Sequence, residues 1–276
     1  MLRAAVLGSP ISHSRSPDLH RAAYAALGLP WQYDAIECTK ELFPEFLAGL
    51  DEQWRGLSLT MPLKEVVLDV VEDVEEIAQT VRSANTVWRN DESSSWRATN
   101  TDIAGMRNAL AEVGVTRVER VRILGAGATS RSAAAAAVDL GATMVTIHAR
   151  REEAARDVAI LVETLGGKAE IADLSPDYRG QDLLISTLPA DIARPWATVA
   201  ESPRVPAGAL LDASYHPWPT PLATAWAECF PGLPVASGRD MLLWQAVDQV
   251  RLMTGAVTDE NRDAVVSAMR AALSTG

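Results

Sequence analysis

The chain has 276 residues, 48% of them hydrophobic, and a formal charge of −11. That length buries one large core or two moderate ones. The acidic balance argues against nucleic acid or an anionic membrane surface as the main partner, because both reward clustered Lys and Arg. The two cysteines, Cys38 and Cys229, are far apart and lack metal-ligand spacing, so neither a disulfide scaffold nor a metal centre is expected. With no signal-peptide pattern and no bilayer-length apolar run, the expectation is a cytoplasmic protein whose partner is a small molecule.

Short apolar runs alternate with helical patterns along the first half. "RAAVLG" reads as a strand and "PDLHRAAYAALG" as a helix ended by Gly28. Between them lies "GSPISHSRSPDLH", where Ser16 is expected to cap the helix with Pro17 in its first turn. Capping needs one hydroxyl, yet Ser12, Ser14 and Ser16 offer three. "WQYDAIEC" is a strand, "KELFPEFLAGL" a helix bent at Pro44, and "GLSLT" a strand leading into one long helix over "MPLKEVVLDVVEDVEEIAQTV". "NTVWRN" and "SWRAT" flank a hairpin tip at "DESSS", and "TDIAGMRNALAEVG" is a clear helix.

The second half repeats the rhythm: strand "VERVRILG", Ala-rich helix "ATSRSAAAAAVDLG", strand "TMVTIHA", helix "EEAARDVAILVETLG". The buried strands "QDLLISTLP" and "GALLDAS" follow, and two helices, "GRDMLLWQAVDQVRLMTG" and "DENRDAVVSAMRAAL", close the chain. Such alternation predicts α/β architecture with mostly parallel sheets. The restart of a βαβ unit near Arg117 places a domain boundary between about residues 100 and 117.

"ILGAGATSRSA" follows a strand and opens a helix, with Gly125, Gly127 and Ser130 at G-x-G-x-x-small spacing. Gly125 permits a tight turn and Gly127 lets the backbone approach a pyrophosphate. A small Ser130 lets the helix pack close to its strand, and the N-terminus of that helix favours negative charge. The loop from Gly125 through Ala126, Gly127, Ala128 and Thr129 to Ser130 is therefore a dinucleotide-binding candidate. The next strand ends in "HARREE", placing Arg150 and Arg151 where an NAD site carries an acid. Two guanidinium groups suit a 2′-phosphate, so NADP is expected; the competing account has Glu152 and Glu153 pairing locally with these arginines.

Lys64, at the end of a short strand, and Asp102, at a helix N-terminus, are the candidate acid–base pair. Reduction of a ketone requires a proton donor for its oxygen, and burial against a neighbouring carboxylate can balance a lysine near neutrality. Taken singly, each is equally a surface lysine and a first-turn carboxylate. His20 lies at helical spacing and reads as a packed or surface histidine.

"GSPISHSRSPDLH", "SLTMPLKE", "SANTV", "NTD", "GAGATSR", "DASYHPWPTPL" and "GRDMLLWQA" stand in the order and spacing of the shikimate dehydrogenases, and from Gly8 to about Ala246 the chain resembles that family. The resemblance implies two α/β domains: a substrate domain of residues 1–101 plus 238–276, and a Rossmann-type NADP domain of residues 102–237. It implies NADPH-dependent reduction of 3-dehydroshikimate to shikimate, an NAD-dependent quinate/shikimate dehydrogenase or a related hydroxy-acid paralogue being the alternatives. Family members are monomers or homodimers.

By the same resemblance, Ser14 and Ser16 would bind the substrate carboxylate with help from Tyr215, and Lys64 and Asp102 would be catalytic. Thr60, Asn85 and Gln245 would bind hydroxyls, and Gly238 would approach the nicotinamide. The family usually carries Asn where this chain has Ser58, G-A-G-G-A where it has Ala128 and Thr129, and Asn-Ala-Thr where it has Ser186-Thr187-Leu188.

Overall fold

The computed structural model describes residues 1–89, 95–174, 180–200 and 208–274. The chain divides into two compact units, Met1–Thr101 with Leu243–Gly276, and Asp102–Leu242.

In the first unit, β1 (Arg3–Gly8) leads to α1 (Ser16–Ala26), β2 (Gln32–Glu37), α2 (Phe43–Ala48) and β3 (Trp54–Leu59). Pro44 lies in the first turn of α2, so it starts that helix instead of bending it. The single long helix expected over 61–81 is not formed. The segment breaks into α3 (Leu63–Val66), a 3-10 turn at Val67–Asp69, β4 (Asp73–Val74) and α4 (Glu76–Thr80). Its valines are β-branched and favour strand, and β4 pairs with β6 (Arg97–Thr99) through Asp73–Arg97 and Val74–Ala98. With β5 (Thr86–Trp88) the sheet order is β2-β1-β3-β5-β6-β4, and β5 runs antiparallel to both neighbours, so this sheet is mixed. The hairpin tip expected at 91–95 lies, but for Ser95, outside the described residues. One face of the sheet, with Trp54 of β3, shares a core with Phe43, Leu63 and Val67.

The second unit holds α5 (Asp102–Glu112), β7 (Arg120–Leu124), α6 (Ala128–Asp139), β8 (Met144–His148), α7 (Glu152–Thr164) and β9 (Lys168–Ala172). It continues through β10 (Leu183–Ser186), α8 (Arg194–Ala200), β11 (Ala209–Asp212), α9 (Pro221–Cys229) and β12 (Val235–Ser237). Every pairing in the sheet β12-β11-β10-β7-β8-β9 is parallel. Such a sheet is covered on both faces, which is why β10 and β11 read as continuous apolar runs. Leu184, Trp196, Leu210, Leu222 and Trp226 form one side of its core. The unit boundary falls within α10 (Gly238–Thr254), and α11 (Arg262–Ser274) belongs to the first unit. No helix among the described residues is long and apolar enough to cross a membrane.

Candidate functional site

In the first unit the serine loop and the lysine segment are stitched together by backbone. Thr60 donates its N–H to Leu7 O at 2.9 Å, and Ser9 donates to Met61 O at 2.9 Å. A Cβ on Gly8 would lie 2.3 Å from Thr60 Cγ2 and 2.8 Å from Met61 O, so glycine is required for this approach. Glu37, at the end of β2, accepts from Ser9 Oγ at 2.5 Å and from Ile11 N at 3.0 Å, fixing the loop's start. Arg15 fixes its end, donating to Asp18 at 2.6 Å and to Ala272 O at 3.1 Å.

The capping expectation at Ser16 fails. Ser16 is the first helical residue, the N-cap is Arg15, and no side chain caps the helix. The local bond is made instead by Ser14, whose Oγ accepts from Ser16 N at 3.3 Å. The Ser16 side chain is buried, and its hydroxyl makes no hydrogen bond to a described residue.

Thr60 accepts from Leu63 N at 2.8 Å through its carbonyl, and Lys64 follows in α3, half-buried, its own carbonyl accepting from Ala84 N at 2.8 Å. That bond ties the lysine backbone to the segment leading into Asn85. Asn85 is buried; its Oδ1 accepts from Thr101 N at 2.8 Å and its Nδ2 donates to Gln245 Oε1 at 3.2 Å. The first unit therefore brings Asn85 and Gln245 into contact, and joins Thr60 and Lys64 to the serine loop.

In the second unit Asp102 is the first residue of α5 and is buried. Gly125 follows β7 with φ of 113°, a conformation that favours glycine, and a Cβ there would lie 2.4 Å from Thr187 Oγ1. Gly127 is exposed and a Cβ on it would meet nothing within 4 Å, so its backbone faces open space. The loop is held by a relay. Gly127 N–H donates to Ser130 Oγ at 3.1 Å, Ser130 and Thr187 hydroxyls meet at 2.7 Å, and Thr187 Oγ1 donates to Leu124 O at 2.8 Å. Because Thr187 spends its hydrogen on Leu124, the Ser130 hydroxyl is the donor to Thr187. Thr187 thus has a role at the loop that the sequence alone did not disclose. Ala128 and Thr129 form the first turn of α6.

An open groove of about 440 Å³ has Gly125, Ala126 and Gly127 on one wall and Ala149, Arg150 and Arg151 on another. The local pairing weighed for the arginines is not formed: Glu152 bonds Arg156 one turn on, at 2.6 Å. Arg150 and Arg151 are exposed and have no ion pair with a described residue. His148, at the end of β8, ties that strand to the glycine loop. Its Nε2 accepts from Arg122 at 3.0 Å, so its Nδ1 carries the proton donated to Asp173 O at 2.8 Å, and its carbonyl accepts from Gly125 N at 2.9 Å.

Tyr215 is half-buried in the loop after β11, and that loop hangs on Asp212. The buried Asp212 carboxylate accepts from Ser214 N at 3.1 Å and Thr220 Oγ1 at 2.5 Å, and burial holds its carboxyl above the usual range. Thr220 in turn caps α9 by accepting from Ala223 N at 3.0 Å. Gly238 opens α10 on the same loop: a Cβ would lie 2.4 Å from Ala213 O and 2.6 Å from Ser214 O. Its glycine therefore has a packing reason within the protein. Among the described residues no group of three or more His, Cys, Asp or Glu is placed to hold a metal ion.

Residues 6–87 match the shikimate dehydrogenase substrate binding domain. The chain is 34% identical to the shikimate dehydrogenase (NADP(+)) of Rubrobacter xylanophilus, over 98% of this chain and 94% of that one. Among solved structures it is similar to a shikimate 5-dehydrogenase from Mycobacterium fortuitum, at 41% identity and a TM-score of 0.84, covering 98% of this chain and 97% of that one. It is also similar to the Thermus thermophilus shikimate 5-dehydrogenase in complex with NADP(H) and shikimate, at 30% identity and a TM-score of 0.78, covering 99% and 100%. Two α/β units, a glycine-loop groove and a cluster of hydroxyl and amide side chains thus coincide with full-length similarity above 30% identity: the chain belongs to the shikimate dehydrogenase family.

Proposed function

We propose that the protein catalyses the reversible, NADP-dependent interconversion of shikimate and 3-dehydroshikimate. The observation that carries this is the shared groove of Gly125–Gly127 with Arg150 and Arg151, two guanidinium groups without an ion pair to a described residue. The residues fit a phosphorylated dinucleotide. The open side of Gly127 and the first turn of α6 suit a diphosphate, and the two arginines suit a 2′-phosphate. When bound, the cofactor supplies or accepts the hydride.

This chain's own residues do the rest. Ser14 and Ser16 bind the substrate carboxylate, Tyr215 is assigned to substrate binding as well, and Thr60, Asn85 and Gln245 take the ring hydroxyls. A small polyol demands many such partners, since each buried hydroxyl left unpaired costs about 1–3 kcal/mol. Lys64 donates a proton from Nζ to the ketone oxygen as that carbon is reduced, and recovers it in the reverse direction. Asp102 is assigned as the second catalytic group.

The test is reduced-nicotinamide formation by the purified protein, with shikimate or quinate crossed against NADP⁺ or NAD⁺. Turnover with shikimate and NADP⁺ is expected. Turnover that prefers NAD⁺, above all with quinate, would overturn the assignment of both cofactor and substrate.

A further inference from the structure

Behind Asn85 and Gln245 runs a set of buried polar side chains to which neither motif nor spacing pointed. Gln249 is one turn beyond Gln245 on α10, only 1% exposed, and its amide is fully used. Its Oε1 accepts from Ser58 Oγ at 2.7 Å and from His20 Nε2 at 3.2 Å. Its Nε2 donates to Asn85 O and to Thr86 Oγ1, both at 3.2 Å. Two acceptances and two donations are all that a primary amide ordinarily makes, so the orientation of the Gln249 amide is determined by its surroundings.

The bonds on either side have a consistent direction. Tyr33 O–H donates to Ser58 Oγ at 2.6 Å, leaving the serine hydrogen for Gln249. The buried His20 ring stacks on Tyr33 at 3.9 Å, and burial pushes its pKa down to about 3, so it is neutral and carries its proton on Nε2 toward Gln249. On the far side, the Thr86 hydroxyl meets Asn85 Oδ1 at 2.9 Å, and Oδ1 also takes Thr101 N. With Oδ1 so engaged, the Asn85 NH₂ edge is the one turned to Gln245 Oε1.

A buried network of this kind adds little net stability over an apolar core of the same shape, but it specifies one orientation of every member. We propose that Gln249 is a positioning residue for substrate binding, which sets the Asn85 and Gln245 amides from behind through Thr86 and the Asn85 carbonyl and is itself oriented by Ser58, Tyr33 and His20. The inference rests on the proposed shikimate-binding role of Asn85 and Gln245. It also gives Ser58 a reason: both functions of its hydroxyl are spent between Tyr33 and Gln249.

The test uses the ¹⁵N-labelled full-length protein with Gln249→Leu. The Asn85 side-chain NH₂ signals, identified by their loss in Asn85→Ala, should move, and the KM for shikimate should rise about tenfold while that for NADP⁺ stays within about twofold. A folded Gln249→Leu with unmoved Asn85 signals and an unchanged shikimate KM overturns the proposal, whatever its melting temperature. If that variant does not fold, Tyr33→Phe and Ser58→Ala are read in the same way, with a rise of about threefold expected; no change in either overturns it. If the wild-type protein fails to turn over shikimate, the activity assignment falls, and the Asn85 signals alone decide whether Gln249 positions that amide.

Discussion

A strand runs through a loop into a helix at β1–α1 in the first unit and at β7–α6 in the second, and the two loops are held by different means. The loop from Ser9 to Arg15 has a backbone bond to Met61 and is otherwise fixed by charged and hydroxyl side chains: Glu37 at its start, Ser14 within it, and Arg15 at its end. The loop from Gly125 to Gly127 depends on a positive φ at Gly125 and on the two hydroxyls of Ser130 and Thr187, and it leaves one side of Gly127 open. The helices differ likewise. α1 buries Leu19, His20 and Tyr24, whereas α6 buries the run Ala133–Ala137. A diphosphate is recognised by N–H groups and a helix terminus, which any sequence with small residues can present. A compact polyol is recognised by individually placed hydroxyls and amides, which must be held by other side chains.

The comparison can be broken in four places. The largest effect is expected at Lys64. Lys64→Ala should lower kcat by about 10²–10⁴-fold with little change in the KM values, in steady-state assays; equal losses in kcat and binding would reduce the lysine to a ligand contact.

Acid should separate the units next. His20 has its pKa lowered by burial from 6.5 to about 3, so the unfolded chain takes up the proton first. Stability contributed by neutral His20 is present above pH 6.5 and falls as the pH drops through that window, by about 3 kcal/mol between pH 7 and 4. Asp212 in the second unit has the opposite sign: its raised pKa means that acid favours its folded form. Amide hydrogen exchange at about pH 7 and about pH 5 should therefore show weakening in β1–α1 and β3 before β10–β11, and His20→Gln should abolish much of the difference.

Cofactor choice gives the third effect. Arg150→Ala with Arg151→Ala should raise the NADP⁺ KM about 10- to 100-fold and leave the NAD⁺ KM within about twofold. The smallest effects belong to the serine loop. Ser16→Ala should raise the shikimate KM about tenfold, and Glu37→Gln, which acts only through the loop's start, about two- to threefold in the same assay.

Much of this was readable from residue types in order. Gly125, Gly127 and the two arginines stand out because a dinucleotide-binding pattern is written in one loop and the end of the strand after it. The continuous apolar runs of β10 and β11 were equally plain. The stretch 61–81 is ambiguous in sequence because its valines suit either a helix face or a strand, and the pairing of β4 with β6 decides for strand at Asp73–Val74. The missed polar residues share one property: Ser58, Thr187 and Gln249 act on partners 191, 57 and 163 residues away in sequence, where no spacing rule reaches. Ser16 was read as a cap from its position, and the structure instead leaves its hydroxyl without a bond to a described residue.

The first unit is assembled from both ends of the chain, whereas the second is contiguous. On the ribosome the order of completion is therefore inverted: residues 102–242 can close their sheet while the first hundred residues still wait for α10 and α11. Until then Asn85, Ser58 and His20 lack Gln249, and α1 lacks the helix that packs on it. The nascent amino-terminal segment must carry its unmatched polar groups in water until the last residues are made, and the first unit is finished last.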